Sequence, residues 1–351
     1  MASPRAAVSQ RDSIVAMNAA GTLHADQASA RCPLCGSTES TPAFVTTDEY
    51  RNQFPLRSCS HCQTRFLFPL PTDEQLAKAY AVGYYGEGAT KFGGLIEKLR
   101  DRSFAGRARN FARELSAGAS VLDIGCGDGR LLRQLKRVGK DLALHGVELP
   151  GPAAERTRTI PGVRLKLGSV DSVDFEDGSF DFISMVHVIE HVPSPHQALQ
   201  KMARWLKPGG RLFLAFPNID SWQASYFGAA WFHLDPPRHL SLVPPEAMRS
   251  TLSDLGLELT AQRHFCPEQN FYGWIQSMLN RVDADRNFLY HRHKRNRRFS
   301  AHRRWAMLWQ MPVAGLMTPF AIVIDALSAL CGRGATVELT FKKNPRSHHV
   351  S

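Results

Sequence analysis

Three groups of side chains in this sequence have the types and spacing to do chemistry. The first is Asp123-Ile-Gly-Cys-Gly-Asp-Gly129, entered through Val121 and Leu122 and followed by Leu131, Leu132, Leu135 and Val138. The apolar entry reads as a buried strand, and the leucine spacing after Arg130 reads as a helix. Glycine at 125, 127 and 129 lets backbone approach a ligand closely and take positive φ, so the turn can present N–H groups to a bound molecule. Asp123 offers a carboxylate to a cationic amino group. Glu148 closes the next apolar run, residues 142–147, where a nucleotide-binding α/β fold carries its ribose-binding acid. The spacing G-x-G-x-G, rather than G-x-G-x-x-G, argues against a dinucleotide.

The second group is Cys32-Pro-Leu-Cys35 and Cys59-Ser-His-Cys62, with 23 residues between the pairs. Each pair makes a knuckle that aims two thiolates at one point. Four thiolates complete a tetrahedral Zn²⁺ and leave no open position, which makes the expected site structural. A redox dithiol is the alternative for either pair, and His61 is read as a bystander. The third group is histidine. His187, Glu190 and His191 follow the apolar stretch 180–186, and His239 lies in Asp235-Pro-Pro-Arg-His-Leu240. An unperturbed imidazole titrates near neutrality, so a histidine beside a carboxylate suits general-base work.

Whole-chain composition sets the bounds. At 351 residues, 43% hydrophobic and 21% charged, the chain has the make-up of a soluble globular protein of one large or two modest domains. Its net charge of +11 points to an anionic partner: nucleic acid, a phosphorylated substrate or a membrane surface. Seven cysteines, an odd number with paired C-x-x-C spacing, fit a reducing compartment and a metal better than a disulfide framework. The expected location is therefore cytoplasmic, with the inner face of a membrane as a peripheral alternative.

The motifs distribute along the chain as follows. Residues 1–30 read as a disordered leader and 31–85 as the four-cysteine zinc-binding module. Residues 86–118 form a connecting helix, and 119–264 with 335–345 form the core. Residues 265–334 are a helical insertion and 346–351 a tail. In the module, Thr72 looks like an N-cap before Asp73, Glu74 and Gln75. Residues 163–167, 180–186 and 211–216 read as strands, with Lys207-Pro-Gly-Gly210 as a tight turn before the last. A strand opens at Leu257, and 337–341 is the only good late strand.

The insertion is unusual. Residues 291–304 carry Lys294 and six arginines with no acid, and residues 305–324 carry no charge, although Pro312 and Pro319 interrupt them. This apolar run is expected to pack on the core or on a second subunit. The competing readings for residues 291–325 are a helix lying on an anionic membrane and a true span.

Asp123-Ile-Gly-Cys-Gly127, Gly178-Ser-Phe-Asp181, Val188-Ile-Glu-His-Val192 and Leu206-Lys-Pro-Gly-Gly210 resemble, in order and separation, the successive signatures of class I S-adenosylmethionine-dependent methyltransferases. The Cys-bearing segment and Asp235-Pro-Pro-Arg-His-Leu240 resemble a bacterial subgroup whose members modify saccharides and other natural products. The resemblance implies a Rossmann-like, seven-stranded α/β sheet with a zinc-ribbon-like N-terminal module and an insertion between the last two strands.

It also implies residue roles. Asp123, Gly125, Cys126 and Gly127 would hold the methionine end of the cofactor, Glu148 the ribose, and Ser169 and Val170 the adenine edge. Ser169 stands where the family usually has Asp, and Asp171 is a substitute. His191 and His239 are base candidates, and His187 is a base candidate or lines the cofactor. Tyr84, Tyr85, Trp231, Asp235, Arg238 and His239 are the expected substrate contacts, with loop structure as the other role for Arg238.

The implied reaction is methyl transfer to a small or carrier-linked acceptor, first a sugar or other natural-product hydroxyl or carbon. An RNA methyltransferase is the runner-up, disfavoured because the basic residues cluster beside an apolar run. A non-catalytic zinc-bearing scaffold is the third reading.

Overall fold

The computed structural model describes residues 30–80, 94–266, 270–282, 286–293 and 304–345. The expectations for the leader, for Tyr84 and Tyr85, for most of the basic run and for the tail lie outside these residues. The described chain opens with β1 (Ser40–Thr47) antiparallel to β2 (Gln53–Cys59), and β3 (Arg65–Leu67) pairs with β2. Helix α1 (Asp73–Ala79) starts with a complete capping box. Thr72 Oγ1 accepts from the Gln75 amide at 3.2 Å, and Gln75 Oε1 accepts from the Thr72 amide at 2.8 Å. Helix α2 (Gly94–Glu114) then leads into the core.

The core elements follow in order: β4 (Ser120–Ile124), α3 (Arg130–Arg137), β5 (Ala143–Glu148), α4 (Pro152–Arg158), β6 (Val163–Leu167), β7 (Phe180–Val186), α5 (Pro195–Trp205) and β8 (Leu206–Pro217). After them come α6 (Trp222–Phe227), β9 (Ser241–Leu242), α7 (Pro245–Asp254) and β10 (Leu257–Arg263). Helices α8 (Asn270–Val282), α9 (Phe288–His293) and α10 (Arg304–Leu330) fill the interval before β11 (Thr336–Lys343).

Seven strands form one sheet in the order β10-β11-β8-β7-β4-β5-β6, with β11 antiparallel to both neighbours and the other pairs from β8 to β6 parallel. Leu122, Ile124, Ile183, Met185, Leu212 and Leu214 are buried in it, as continuous apolar runs in a parallel sheet require. The order doubles back at β4. Chain leaves β4 for β5 and β6 on one side and returns to β7 and β8 on the other, which opens a crevice at the carboxyl ends of β4 and β7. This is the class I arrangement, with the helical insertion between the last two strands.

Two local expectations change. Lys207-Pro-Gly-Gly210 lies inside β8 as a register irregularity, with Phe180 opposite Leu206 but Phe182 opposite Arg211. A Cβ on Gly210 would stand 2.8 Å from the Lys207 carbonyl oxygen, so only glycine lets the backbone fold there without leaving the strand. The second is an unexpected strand: the Cys-bearing segment, which as expected for its length has no hydrophobic core of its own, takes a strand from outside itself. β9, far along the chain, completes its sheet, with Arg65 opposite Leu242 and Phe66 opposite Ser241. Phe54, Leu56 and Leu67 pack with Ile219, Phe227, Trp231 and Leu242, while Cys32, Leu34, Cys59 and Phe66 join the main core. A segment this short buries too little surface alone and borrows the rest.

Candidate active site

The Gly-rich turn sits at the carboxyl end of β4. Gly125 has φ +67°, and a Cβ there would fall 2.2 Å from Cγ2 of Val188, in the turn after β7. Gly127 has φ +58° with open space where a Cβ would point, a cradle free for a ligand. The Gly125 and Cys126 amides donate to the Val147 carbonyl at 2.8 and 3.1 Å, which fixes the turn against the end of β5. Glu148 closes the same crevice. Its Oε2 accepts from the Gly127 amide at 2.6 Å and its Oε1 from the Leu149 amide at 3.0 Å. Gly125→Ala should therefore displace the turn or Val188, weaken ligand binding about tenfold or more and lower the melting temperature by several degrees. Thermal melts with and without ligand check this.

Asp123 is buried, and the Ser184 hydroxyl donates to its Oδ1 at 2.7 Å. Burial, with the Glu148 charge nearby, pushes its carboxyl up to about 7 against the pull of Ser184. Burial also pushes Glu148 up. Two desolvated carboxylates beside an open backbone cradle suit a ligand that brings a cationic amino group and hydroxyls, which is the chemistry of S-adenosylmethionine. Arg130, at the start of α3, reaches Glu97 at 2.6 Å and Asp101 at 2.5 Å, pinning α2 beside the turn.

The Cys126 side chain is turned into the protein: a Cβ on Gly146 would touch its Sγ at 2.9 Å, so Cys126 presents only backbone to the crevice. Val170 is buried. Ser169 closes the turn after β6, its Oγ accepting from the Ser172 amide at 3.2 Å. Lys201 holds that turn from below, donating to the carbonyls of Val170, Asp171 and Val173.

A second cluster lies across the crevice. His187 ends β7 at φ +53°, its amide donating to the Ala215 carbonyl at 2.8 Å. Its Nδ1 is 3.2 Å from Oε1 of Glu190, and its Nε2 has no hydrogen-bond partner among the described residues. Glu190 is buried. Burial raises its carboxyl, but the hydrogen bond and charge of His187, then His239 and His191, hold it down at about 2. His191 donates from Nδ1 to the Arg238 carbonyl at 2.9 Å, with Tyr80 Oη 3.3 Å from the same nitrogen. His239 donates from Nδ1 to the His233 carbonyl at 2.7 Å, and its Nε2 lies 4.0 Å from Glu190.

The three expected histidines thus gather around one carboxylate. The other substrate candidates on this loop are engaged in packing and in contacts that hold the loop. Trp231 is 0% exposed and packs in the core with its Nε1 3.4 Å from Gln223 Oε1. Arg238 makes a bidentate pair with Asp235 and donates to the Ala79 carbonyl at 3.0 Å, so both residues fasten the loop to α1. Loop structure is the role this geometry gives Arg238.

Burial pulls His191 down to about 4 and His233 to about 3, with the neighbouring imidazoles adding to it. His233 is buried; His191 keeps an edge at the surface, so His233 is the firmer case. Both folded values lie below that of the unfolded chain. Below the unfolded value of about 6.5 the unfolded state binds the extra protons, and stability falls as pH drops toward 4. Glu190, depressed to about 2, has the same sign and continues the loss between its unfolded value and 2. Melting temperature should therefore begin to fall near pH 6, and His233→Gln should flatten that slope.

The four cysteines form a separate centre. Their Sγ atoms all lie within 4.8 Å of one another, with Cys32 to Cys62 at 3.6 Å and Cys35 to Cys59 at 3.5 Å. Four Zn–S bonds of about 2.3 Å place sulfurs about 3.8 Å apart, so the set fits Zn²⁺. Each knuckle closes with a positive φ at the residue after its turn. Gly36 (φ +74°) donates to the Cys32 carbonyl at 2.9 Å and Gln63 (φ +61°) to that of Cys59 at 3.1 Å. His61 is exposed and outside the cluster.

A family model described as a methyltransferase domain matches residues 95–262, from α2 to β10, leaving the cysteine segment and the insertion outside it. The chain is 38% identical over 120 residues to an uncharacterized 37.1 kDa protein in transposon TN4556 of Streptomyces fradiae, covering 33% of this chain and 35% of that one. It is 36% identical over 115 residues to a ubiquinone biosynthesis O-methyltransferase of Xanthomonas oryzae, covering 29% of this chain and 44% of the relative. The chain thus spans less than half the length of these relatives. Among solved structures it resembles the [4+2]-cyclase SpnF, with TM-score 0.45, 18% identity and 70% and 80% of the two chains covered. It also resembles an S-adenosylmethionine-dependent methyltransferase from Mesorhizobium loti, with TM-score 0.43, 13% identity and 71% and 99% covered.

Proposed function

We propose that this chain, whose residues 95–262 form a class I S-adenosylmethionine-dependent methyltransferase domain, methylates a hydroxyl of a small or carrier-linked acceptor, with a saccharide or other natural product as the first class to test. The observation that carries this reading is the His187–Glu190 pair. A buried carboxylate holds one ring nitrogen and leaves Nε2 buried without a hydrogen-bond partner among the described residues, a nitrogen still able to take a proton. The likeness to O-methyltransferases of ubiquinone biosynthesis supports a hydroxyl acceptor.

When bound, S-adenosylmethionine supplies a methyl group already activated by its sulfonium. Asp123 would face the amino group, the Gly125–Gly127 backbone the methionine end, and Ser169 and Val170 the adenine edge. Glu148 keeps lone pairs for the ribose hydroxyls after accepting its two backbone bonds. His187 Nε2 takes the acceptor's proton as its oxygen attacks, and Glu190 stabilises the resulting imidazolium. His239 is the second candidate for that proton. His191, held by the Arg238 carbonyl, positions the loop. Zn²⁺ at Cys32, Cys35, Cys59 and Cys62 would serve structure, away from the transfer.

The test is S-adenosylhomocysteine release across nucleotide sugars, lipid-linked saccharides and hydroxylated aromatics. With an active acceptor in hand, His187→Gln should lower kcat by about 10² to 10⁴ and leave the KM for S-adenosylmethionine within about twofold. An unchanged kcat would remove His187 from the chemistry.

A further inference from the structure

Helix α10 presents an apolar face that nothing among the described residues covers. Its inner side packs on α8, where Val313, Met317 and Ala321 meet Trp274, Ile275 and Leu279. Its outer side carries Leu308, 77% exposed, Leu316, 71%, and Phe320, 65%, with Val323, Leu327 and Leu330 continuing the stripe. At 1.5 Å per residue this stripe is about 33 Å long. Every polar group along it is turned away. Gln310, Asp325 and Ser328 are buried, and the Thr318 hydroxyl donates to the Ala314 carbonyl at 2.7 Å. Residues 306–330 are long and apolar enough to cross a bilayer, but the inner face is already occupied by α8.

We infer that this face of α10 is a docking surface for an anionic lipid bilayer, on which the helix lies in the plane of the interface. Charge complementarity selects the occupant. The thirteen residues 292–304, directly before the exposed stripe in sequence, hold Lys294 and six arginines with no acid. A second copy of the chain is the poorer fit. An interface between soluble copies carries a polar rim and a hydrogen bond every 100–200 Å² or so, and this stripe supplies neither along its length. Scattered exposed leucines would need no explanation, but an aligned stripe of this length does. Docking stands apart from the methyl-transfer reading: it uses no residue of the crevice.

The experiment is co-sedimentation of the full chain with phosphatidylcholine vesicles, with and without phosphatidylglycerol, at low and high salt. The protein should pellet with the anionic vesicles, weakly or not at all with the neutral ones, and salt should weaken binding without abolishing it. Leu316→Glu with Phe320→Glu should weaken vesicle binding about tenfold or more while leaving the thermal melt unchanged. Arg297→Glu with Arg298→Glu should weaken binding at low salt and spare the salt-resistant part. Wild-type protein that stays in the supernatant throughout would overturn the inference. So would a Leu316→Glu, Phe320→Glu variant that binds as tightly as wild type, or a wild-type dimer that this variant splits and that shows no vesicle binding.

Discussion

Cys59→Ser protein, or wild type stripped of zinc by a chelator, is expected to lose its cooperative fold as a whole, including the seven-stranded sheet. Cys59 is buried in the cluster that also contains Ile183, Leu214 and Trp205. A structural zinc site contributes on the order of 10 kcal/mol, and a domain's total stability is about 5–15 kcal/mol. Removing it leaves little margin. The physical route to the crevice is short. Zn²⁺ held by the four cysteines would fix the end of β2, β2 holds β3, and β3 pairs with β9. Immediately before β9, the Leu240 amide donates to the Glu190 carbonyl at 2.8 Å, and the Arg238 carbonyl holds His191. Loss of metal should therefore reach the histidine cluster before the sheet melts. The check is zinc content with thermal melts. Cys59→Ser should be insoluble or lower the melting temperature by more than about 10 °C. Cys35→Ser, at an exposed cysteine, should be milder. A metal-free wild type with an unchanged melt would remove zinc from the account.

Replacing Glu148 with Ala should weaken S-adenosylmethionine and S-adenosylhomocysteine binding about 100-fold or more. The substitution frees the amides of Gly127 and Leu149, which lets the Gly-rich turn drift from β5. It also removes the acceptor expected for the ribose hydroxyls. Hydrogen bonds to a charged group are worth about 1.5–3 kcal/mol each, so two lost to the ligand account for that factor before any loosening of the turn. Glu148→Gln keeps the size and one acceptor oxygen and should fall between the two. Removing a buried carboxylate that burial shifts upward offsets the two freed amides, so the alanine variant should keep its fold near neutral pH. Its loss of affinity would then reflect the site rather than the scaffold.

The central sheet and the Gly-rich turn beside Glu148 were legible because their signals are local and dense. Val121, Leu122 and Ile124 form a continuous apolar strand, the glycines at 125, 127 and 129 all take positive φ, and Glu148 ends the next strand. Thr72 and Gln75 announced their capping box three residues apart. The pairing of β9 with β3 was not legible, because β9 is two residues long and its partner lies far away in sequence. The aromatic run 222–233 reads as a pocket wall by composition, yet Trp231 is core, since the borrowed sheet of the cysteine segment needs large apolar partners. His233 and Ser184 carry no sequence signal of their own; only packing brings Ser184 to Asp123 and His233 to the edge of the histidine cluster. The Arg238–Asp235 pair had a weak one, an acid three residues before an arginine with two prolines between them.

The most direct measurement is calorimetric titration of S-adenosylmethionine and S-adenosylhomocysteine into zinc-replete protein, alongside Glu148→Ala. The crevice described here predicts micromolar binding of both ligands by wild type, and loss of about two orders of magnitude in a variant whose melt is unchanged. No binding of either ligand by folded wild type, or equal binding by wild type and Glu148→Ala, would contradict the cofactor site and withdraw the roles assigned to Asp123, Glu148 and His187.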